Sequence, residues 1–372
     1  MASRDIVIIG GGIIGCTTAY YLTRHPSASS AKITLIEASK NGPAQGASGK
    51  AGGLVARWAY PKEIVDVSFD EHVKLAEEHN GTDRWGWRYV GCGSWEGRGE
   101  IVTSEQDVSG NRSLEKTLGL PGGQKPLRSQ KSKGLPGDLL WVKEELTDGY
   151  TAMAKQGATA QVHPYQFTTS MFELAKEEGL NYVKGRATSI IKENGRVTGV
   201  EFIDTDSQSE TNIQATQVIL AAGAWSSTLV EELPISATRA HSITIQPQEG
   251  TDIAPYVLFT EISDPMTGTN SSPEIYARPD NEVYACGPGD DCPLPETVDD
   301  VVVDLSSCDL IHRHVASISQ ELREGKVDRR QACFLPTVST GGGPIVGEAA
   351  NVAKGLFIAT GHTCWVSEIL LA

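Results

Sequence analysis

The chain of 372 residues is long enough for two domains that share an interface, or for one large α/β body. Its formal net charge of -15 repels phosphate backbones and anionic lipid, so we expect neither nucleic acid nor a membrane surface as a partner. No apolar stretch approaches the ~18 residues of a membrane span, so no membrane insertion is expected. The first apolar strand begins near residue 5 and leaves no room for a signal or transit peptide, which predicts a cytoplasmic protein.

The cysteines and histidines give no sign of a metal or disulfide site. The seven cysteines are odd in number and contain no C-x-x-C pair, so neither a disulfide framework nor a zinc site is expected. His312 and His314 flank Arg313 and would point to opposite sides of a helix, which argues against a metal pair. A hydrolase is not indicated either, because the chain has no G-x-S-x-G nucleophile elbow.

The most informative segment is an apolar strand, residues 6–9, that runs into a glycine-rich turn. Gly10 allows a tight turn, Gly12 lets backbone N–H groups approach a pyrophosphate, and Gly15 lets the following helix pack close to the strand. A second apolar run ends at Glu37, 22 positions after Gly15, near the spacing of roughly 20 expected for an acid that binds ribose hydroxyls. Strand, glycines, helix and acid together predict a dinucleotide site without a 2′-phosphate.

Downstream of this β-α-β unit the pattern is mixed. Residues 100–138 are polar and rich in glycine and proline, which is typical of a solvated loop or insertion. Residues 171–179 are predicted to be helical, because their apolar positions share one face. Short strands are predicted at residues 182–183, 188–191, 197–202 and 218–220, with a hairpin turn at Asn194 and Gly195 and further strands over 241–305.

Two further segments are built from small side chains. The strand at 218–220 runs into alanines and Gly223, which indicates either a ligand close to the backbone or tight strand-to-helix packing. Residues 46–54 are rich in glycine and carry Ser48 and Lys50, which can donate to a phosphate or to the electron-rich edge of a ring. The alternative for this second segment is a flexible loop without a ligand.

In this order, the three segments resemble the D-amino-acid oxidase, glycine oxidase and sarcosine oxidase superfamily of FAD-dependent oxidoreductases, nearest its fungal and plant branch. The likeness covers most of the chain, and NAD dehydrogenases share only the first motif. It includes residues 162–167, 185–188, 344–347 and 355–362.

The resemblance implies an α/β fold in which a Rossmann-like FAD-binding domain is joined to a second, antiparallel-sheet (α+β) substrate domain. The FAD-binding domain would be discontinuous and the substrate or cap domain would fill the intervals, with the polar loop near residues 100–138. The expected boundaries are 1–60, 150–235 and 326–372 for FAD binding, and 61–149 and 236–325 for the substrate.

FAD would bind in extended form, with its pyrophosphate at the first glycine turn and its ribose at Glu37. Adenine would lie against the Thr188 backbone, and the flavin would lie near residues 46–54 and Gly361. The positions that the resemblance assigns to FAD are Gly10, Gly12, Ile13, Ile14, Gly15, Glu37, Ala38, Ser48, Gly49, Lys50, Ala51, Gly52, Gly53, Leu54, Thr188, Ala222, Gly223, Trp225, Cys333, Gly361 and His362.

Departures from the superfamily bear on the substrate and on the flavin linkage. Glycine and D-amino-acid oxidases carry an arginine that grips the substrate carboxylate, whereas Leu335 stands at the matching position here. A simple α-amino acid is therefore not expected as the substrate unless Arg239 or Arg278 takes over that role. Cys333 matches the cysteine that sarcosine oxidases attach to the flavin, but a buried structural thiol and non-covalent FAD are the favoured expectation.

The end of the chain also departs from the superfamily pattern. After Trp365 the superfamily continues through a loop into a final helix whose N-terminus stabilises charge on the reduced flavin. Residues 366–371 resemble that helix without its preceding loop. An altered flavin affinity or turnover is the expected consequence.

The predicted activity is FAD-dependent oxidation of a C–N bond in a small amine or amino-acid-like substrate, with oxygen as acceptor. The flavin accepts hydride, so no protein nucleophile is needed, and the residues considered for catalysis are Lys50, His241 and His362. One alternative is a flavoprotein without catalysis that acts as an interaction or trafficking component. Another is an NAD-linked dehydrogenase, which rests on the first motif alone.

Overall fold

The structure is a computed structural model that describes residues 4–101 and 133–364. Most of the polar loop and the expected final helix at 366–371 lie outside the described residues. The helices are α1 (Ile13–Arg24), α2 (Ala47–Lys50), α3 (Lys62–Glu78), α4 (Gly81–Trp85), α5 (Pro164–Glu177), α6 (Ser226–Leu229), α7 (Leu305–Ala316) and α8 (Gln320–Glu324).

The strands of the described residues lie in three sheets. In chain order they are β1 (Arg4–Ile9), β2 (Ala31–Glu37), β3 (Leu54–Ala56), β4 (Arg88–Tyr89), β5 (Gly91–Arg98), β6 (Thr147–Ala152), β7 (Thr159–Gln161), β8 (Asn181–Glu193), β9 (Arg196–Asp204), β10 (Glu210–Gln214), β11 (Gln217–Leu220), β12 (Ile235–Gln246), β13 (Tyr256–Ser263), β14 (Asn270–Ser271), β15 (Glu274–Ala277), β16 (Val283–Asp290), β17 (Lys326–Val338), β18 (Ile345–Glu348) and β19 (Leu356–Thr360).

The first sheet carries the predicted Rossmann-like unit. Its order is β10-β9-β8-β2-β1-β11-β19-β18, and β1 pairs in parallel with both β2 and β11. The last four residues of β1 are all buried, as expected for a strand that is covered on both faces. This arrangement brings the carboxyl ends of three parallel strands to one edge of the sheet.

The predicted meander is confirmed, with one change. Residues 182–183 and 188–191 belong to a single strand, β8, which pairs in parallel with β2 at its start and antiparallel with β9 thereafter. Asn194 and Gly195 form the two-residue turn with φ values of 52° and 73°, which an Asn-Gly pair tolerates well. Helix α5 begins at Pro164, seven residues before the predicted start, because His163 caps it and proline fits its first turn.

The second sheet has the order β17-β12-β16-β15-β13-β5-β6 and is antiparallel except for the β13–β5 pair. The mixed α/β fold with a second, largely antiparallel sheet is therefore confirmed. Strand β17 pairs with β12 along its length, so it belongs to this sheet although the sequence places residue 326 onward in the FAD-binding domain. Apolar side chains of α7, including Ile311 and Val315, pack on one face of the sheet.

The other face of the second sheet packs against β3, which begins at the end of the glycine-rich segment 46–54. Leu54 and Ala56 of β3 share an apolar cluster with Tyr276 and Tyr284 of the second sheet. Within the described residues, no helix is long and apolar enough to cross a membrane.

The tightest backbone contact of the first sheet lies at Gly10. Its φ is +109°, and a Cβ atom there would lie 2.5 Å from the carbonyl oxygen of Ala221. The small side chains that follow β11 are thus explained in part by this close approach. A side chain at Gly10 would both strain the turn and push the two strands apart.

We predict that Gly10→Ala lowers the free energy of unfolding by at least about 2 kcal/mol, from strain and steric overlap together. Urea denaturation followed by circular dichroism measures this change. Gly149→Ala is the matched control, because a Cβ atom at Gly149 meets nothing within 4 Å. Equal unfolding midpoints for the two variants would contradict the close contact at Gly10.

Candidate nucleotide-binding and active site

A cavity runs along the edge of the first sheet where the parallel strands end. The ends of β1, β2 and β11 contribute Ile9, Ile36, Glu37 and Ala221 to its wall. Ligands of open α/β sheets bind outside the carboxyl ends of the strands, so this is the expected position for a nucleotide.

The glycine turn and helix α1 form the floor of this cavity. Gly12 precedes the first residue of α1, and the hydroxyl of Ser48 accepts a hydrogen bond of 2.9 Å from the backbone N–H of Ile13. A Cβ atom at Gly15 would lie 1.9 Å from the carbonyl oxygen of Gly10, so only glycine lets the helix approach the turn. The N-terminus of α1 consequently points at the cavity and favours negative charge there.

Glu37 is buried at the end of β2, with 9% of its surface exposed. Its Oε2 accepts the backbone N–H of Gly11 at 2.6 Å, and its Oε1 accepts that of Ser39 at 2.7 Å. Burial raises the pKa of Glu37, and these two hydrogen bonds oppose that rise. A carboxylate held in this way can accept further hydrogen bonds, such as those from ribose hydroxyls.

A segment between β16 and α7 lies over the cavity beside Glu37. We call residues 295–299 the covering segment. The carboxylate of Asp299 accepts from the Ser39 hydroxyl at 2.6 Å and from the backbone N–H of Lys40 at 2.8 Å. Trp225 donates its indole N–H to the carbonyl of Pro295 at 2.8 Å, and Arg186 lies 2.7 Å from the carboxylate of Glu296.

The sequence did not indicate the covering segment, because its residues have no strand or helix periodicity. Its contacts also join positions more than 100 residues apart, such as Arg186 and Glu296. The acidic residues near 296–300 were the one available signal, and they are equally typical of a solvated loop.

The structure brings about half of the predicted FAD positions to the cavity. Those that line it are Gly10, Gly12, Ile13, Ile14, Glu37, Ala38, Ser48, Ala222, Gly223, Trp225 and His362. Residues that line it without having been predicted include Ala44, Gly185, Arg186, Ala187, Val298 and Phe334.

The other predicted positions do not line the cavity. They are Gly15, Gly49, Lys50, Ala51, Gly52, Gly53, Leu54, Thr188, Cys333 and Gly361. Thr188 falls at an irregularity of the β8–β9 pairing, and the lining residues of β8 are the three before it.

The glycine-rich segment after residue 46 is packed rather than loose. A Cβ atom at Gly49 would lie 1.8 Å from the carbonyl oxygen of Ala44, and one at Gly52 would lie 2.7 Å from the ring of Tyr276. Arg278 also holds this segment, because its guanidinium donates to the carbonyl of Ala51. The alternative of a flexible loop is therefore wrong, because the segment is a tight bridge between the two sheets.

The two arginines considered for a substrate carboxylate are both engaged. Arg278 is buried, pairs with Glu282 at 2.8 Å and contacts the carbonyl of Gly52 at 3.5 Å. Arg239 donates from two guanidinium nitrogens to the carboxylate of Asp290, at 3.0 to 3.2 Å. Both serve as structural cations in this fold.

Of the residues considered for catalysis, His362 reaches the cavity. Its side chain is buried, its Nε2 has no hydrogen-bond partner among the described residues, and burial lowers its pKa to about 4. A neutral imidazole with one free ring nitrogen can bind a ligand as donor or acceptor.

His241 lies elsewhere, because side chains alternate along β12 and its ring points towards α7. Its Nε2 accepts the backbone N–H of Asp304 at 3.0 Å, and Nδ1 lies 3.7 Å from Asp290. Lys50 is half-buried beside β17, where it donates to the carbonyl of Ala332 at 3.0 Å, and burial lowers its pKa.

Cys333 is buried on β17 and shares a small apolar cluster with Ala240 and Leu335. Burial raises its pKa to about 11, although the nearby Lys50 opposes the rise. The side chain is therefore a thiol, not a thiolate, at neutral pH. Among the described residues, no group of three histidine, cysteine, aspartate or glutamate side chains converges to hold a metal ion.

Together these features fit an extended dinucleotide. The turn at Gly10 leaves no space for side chains, α1 directs its N-terminus at the cavity, and Glu37 presents a buried carboxylate for ribose. The unpartnered Nε2 of His362 lies at the same cavity, where a ligand would satisfy it. The fold and the site thus define a dinucleotide-binding protein with a second, largely antiparallel sheet.

Comparison with known proteins assigns the family. Residues 5–366 match the family model described as FAD dependent oxidoreductase. The Saccharomyces cerevisiae protein TDA3, which is named as an oxidoreductase, is 33% identical over 97% of this chain and 88% of its own length. A Schizosaccharomyces pombe protein, also named as an oxidoreductase, is 30% identical over 98% of this chain and 90% of its own.

Among solved structures, glycine oxidase from Bacillus cereus superposes with a TM-score of 0.69 at 21% identity, over 99% of this chain and 95% of that one. This likeness concerns the fold. The chain belongs to the family of FAD-dependent oxidoreductases that includes D-amino-acid oxidase, and FAD is its cofactor.

We predict that Glu37→Ala weakens FAD retention, because it removes the charged acceptor for the ribose hydroxyls, and hydrogen bonds to a charged group contribute about 1.5–3 kcal/mol. The flavin remaining after dialysis, measured as absorbance per protein, checks this. Glu210→Ala is the control, because Glu210 is exposed on β10 at the far edge of the same sheet. Full flavin occupancy of Glu37→Ala after dialysis would contradict the assignment.

Proposed function

We propose that this FAD-dependent oxidoreductase oxidises a C–N bond of a small amine or amino-acid-like substrate, with oxygen as the final acceptor. The observation that carries the proposal is the position of the cavity between the two sheets. Phe334 and Pro336 of β17 line it together with His362, so the second sheet forms part of the cavity wall. The likeness to glycine oxidase, an enzyme of amino-acid oxidation by its name, supports the same reaction class.

FAD, when bound, supplies the two-electron acceptor, and no protein nucleophile is then required. The residues of this chain have three tasks. Glu37 and the turn at Gly10 bind the nucleotide, the covering segment excludes water beside it, and the second sheet orients the substrate.

We further propose that Lys50 and His362 act near the reacting end of the cofactor. Lys50 does not line the cavity, and its ammonium donates to the carbonyl of Ala332, so its charge would act on the bound cofactor from behind the cavity wall and not by contact with substrate. His362 is neutral at physiological pH, so it can orient a ligand by a hydrogen bond without adding charge.

Peroxide release over a panel of amines tests this function. The expected result is peroxide in proportion to amine consumed, with loss of activity when FAD is removed. If flavin-loaded protein releases no peroxide and its flavin is not reduced by any amine, the proposal fails. That outcome would favour a flavoprotein that serves as an interaction or trafficking component.

We predict that glycine and D-alanine are poor substrates, oxidised at least 100-fold more slowly than the best amine of the panel. Leu335 offers no charge, and the donors of Arg239 and Arg278 are already bound, so an α-carboxylate would lie unpaired in the site. Peroxide release with equal flavin content in each assay measures the ratio. Efficient oxidation of D-alanine would contradict this prediction.

We predict that FAD is bound non-covalently. A thiol whose pKa is raised to about 11 is a weak nucleophile at neutral pH, so Cys333 is not expected to attack the flavin. Acid precipitation measures this, with yellow colour expected in the supernatant. Colour that stays in the pellet of the natural protein, but leaves it in Cys333→Ala, would show a covalent bond.

A further inference from the structure

The covering segment connects the two sheets across the nucleotide cavity. It lies between β16 and α7, which belong to or pack on the second sheet. Its side-chain contacts reach the first sheet, at Ser39 after β2, at Arg186 on β8 and at Trp225 after β11. Three of its residues line the cavity between these points. The segment therefore lies over bound nucleotide and contacts three strands of the first sheet or the residues that follow them.

Two residues of β12 hold the ends of the stretch that carries the covering segment. Arg239 binds the carboxylate of Asp290 at 3.0 Å at one end and donates to the carbonyl of Val302 at 3.0 Å near the other. The Nε2 of His241 accepts the backbone N–H of Asp304 at 3.0 Å. Both ends are thus fixed to the second sheet, and only the middle reaches the first.

The stretch between these ends, residues 291–303, forms no strand ladder with a neighbour. Among the described residues, its backbone–backbone hydrogen bonds are internal, from the N–H of Asp300 to Thr297 at 3.2 Å and from that of Val301 to Val298 at 3.4 Å. The Thr297 hydroxyl also donates to the Asp300 carboxylate at 2.6 Å, which holds this part as one turn. The stretch can therefore move away from the first sheet without breaking a sheet, at a low local free energy.

Asp299 makes the main polar contact that keeps the covering segment against the first sheet. Its carboxylate accepts two hydrogen bonds, from the Ser39 hydroxyl and from the backbone N–H of Lys40. Hydrogen bonds to a charged acceptor are stronger than neutral ones. The side chains of the Arg186–Glu296 pair are 31% and 68% exposed, and ion pairs of that kind contribute little.

Ser39 connects Asp299 to the ribose-binding glutamate. Ser39 is fully buried, its hydroxyl donates to Asp299, and its backbone N–H donates to Glu37 at 2.7 Å. Burial is the main cause that raises the pKa of Glu37, and the charge of Asp299 adds to that rise. The charge of Asp299 therefore does not stabilise the Glu37 carboxylate. Its favourable effect comes from the hydrogen bond that fixes Ser39, which in turn orients Glu37.

We propose that the covering segment is a lid that must open to release FAD, and that Asp299 is the positioning residue that keeps the lid closed. In the closed state the lid lies beside Glu37 at the ribose end of the cavity, and Ser39 is shared between the lid and that carboxylate. Arg239 and His241 then act as the fixed ends of the lid. This inference concerns retention of the cofactor and does not rest on the proposed amine oxidation.

The rate of FAD release from the flavin-loaded protein tests this inference. The protein is diluted, and the flavin that passes an ultrafiltration membrane is measured over time. Asp299→Ala is expected to release FAD about tenfold faster or more, because both hydrogen bonds to the carboxylate are lost. Asp299 is exposed, so this variant should keep its fold. Asp291→Ala is the matched control, because Asp291 is also exposed but lies outside the covering segment, and it should release FAD like the natural protein.

A double-variant cycle tests whether Asp299 acts through Ser39. Ser39→Ala keeps the backbone N–H that donates to Glu37 and removes only the hydroxyl, so we expect FAD release to be about threefold faster or more. The double variant should release FAD no more than about twofold faster than Asp299→Ala alone, because both changes remove the same hydrogen bond.

Hydrogen exchange of the flavin-loaded protein measures opening of the lid itself. In Asp299→Ala, peptides from residues 291–303 should exchange their amide hydrogens about threefold faster or more, while those from β1 and α1 should be unchanged. A general loss of stability would instead speed exchange in both regions.

Three outcomes overturn the inference. In the first, Asp299→Ala releases FAD within about twofold of the natural rate, so that Asp299 does not keep the lid closed. In the second, FAD release is faster but exchange in residues 291–303 is unchanged, so that release needs no opening. In the third, the effects of Ser39→Ala and Asp299→Ala multiply in the double variant, so that Asp299 does not act through Ser39. None of these measurements uses an amine, so their result is independent of the proposed function.

Discussion

The rest of the structure depends on the contact between the backbone turn at Gly10 and the end of β11. The N–H of Gly10 donates to Ile36 at 2.9 Å, and the N–H of Ala221 donates to Ile9 at the same distance, so the ends of three parallel strands are fixed together. Gly15 then allows α1 to start directly over this point. The nucleotide cavity exists because no side chain intrudes there.

Two buried glutamates, Glu37 and Glu274, differ in their hydrogen-bond donors. Glu37 has an N–H donor for each oxygen, so its carboxylate is stabilised before any ligand arrives. Glu274 accepts from the Tyr276 hydroxyl and the Cys286 thiol at one oxygen, and its other oxygen has no partner among the described residues. The first arrangement suits a rigid element of a cofactor site, because both carboxylate oxygens are held by backbone donors.

Much of the first sheet could be predicted from the sequence, because its signals are local. The β-α-β unit, the Asn194-Gly195 turn and the acid at residue 37 each follow from a short pattern, and the structure confirms the elements they predict. The family resemblance added the second sheet, and it assigned residue 326 onward to FAD binding, whereas β17, which begins at Lys326, pairs with β12 of the second sheet.

What the sequence could not predict depends on distant contacts. The covering segment acts through Asp299 and Ser39, which are 260 positions apart. Trp58 contacts Phe259, about 200 positions away, and only the register of β13, β15 and β16 places Glu274 opposite Phe259 and Cys286. His241 looked like a catalytic residue until the alternation along β12 placed its ring on the opposite face.

The central claim is that an amine delivers electrons to FAD held in this cavity. Anaerobic absorption spectroscopy of the purified, FAD-loaded protein tests it most directly, with a panel of small amines added in turn. We predict an oxidised flavin spectrum that bleaches on addition of an amine and returns when oxygen is admitted. A protein that fails to hold FAD, or whose flavin spectrum no amine in the panel changes, would contradict this account.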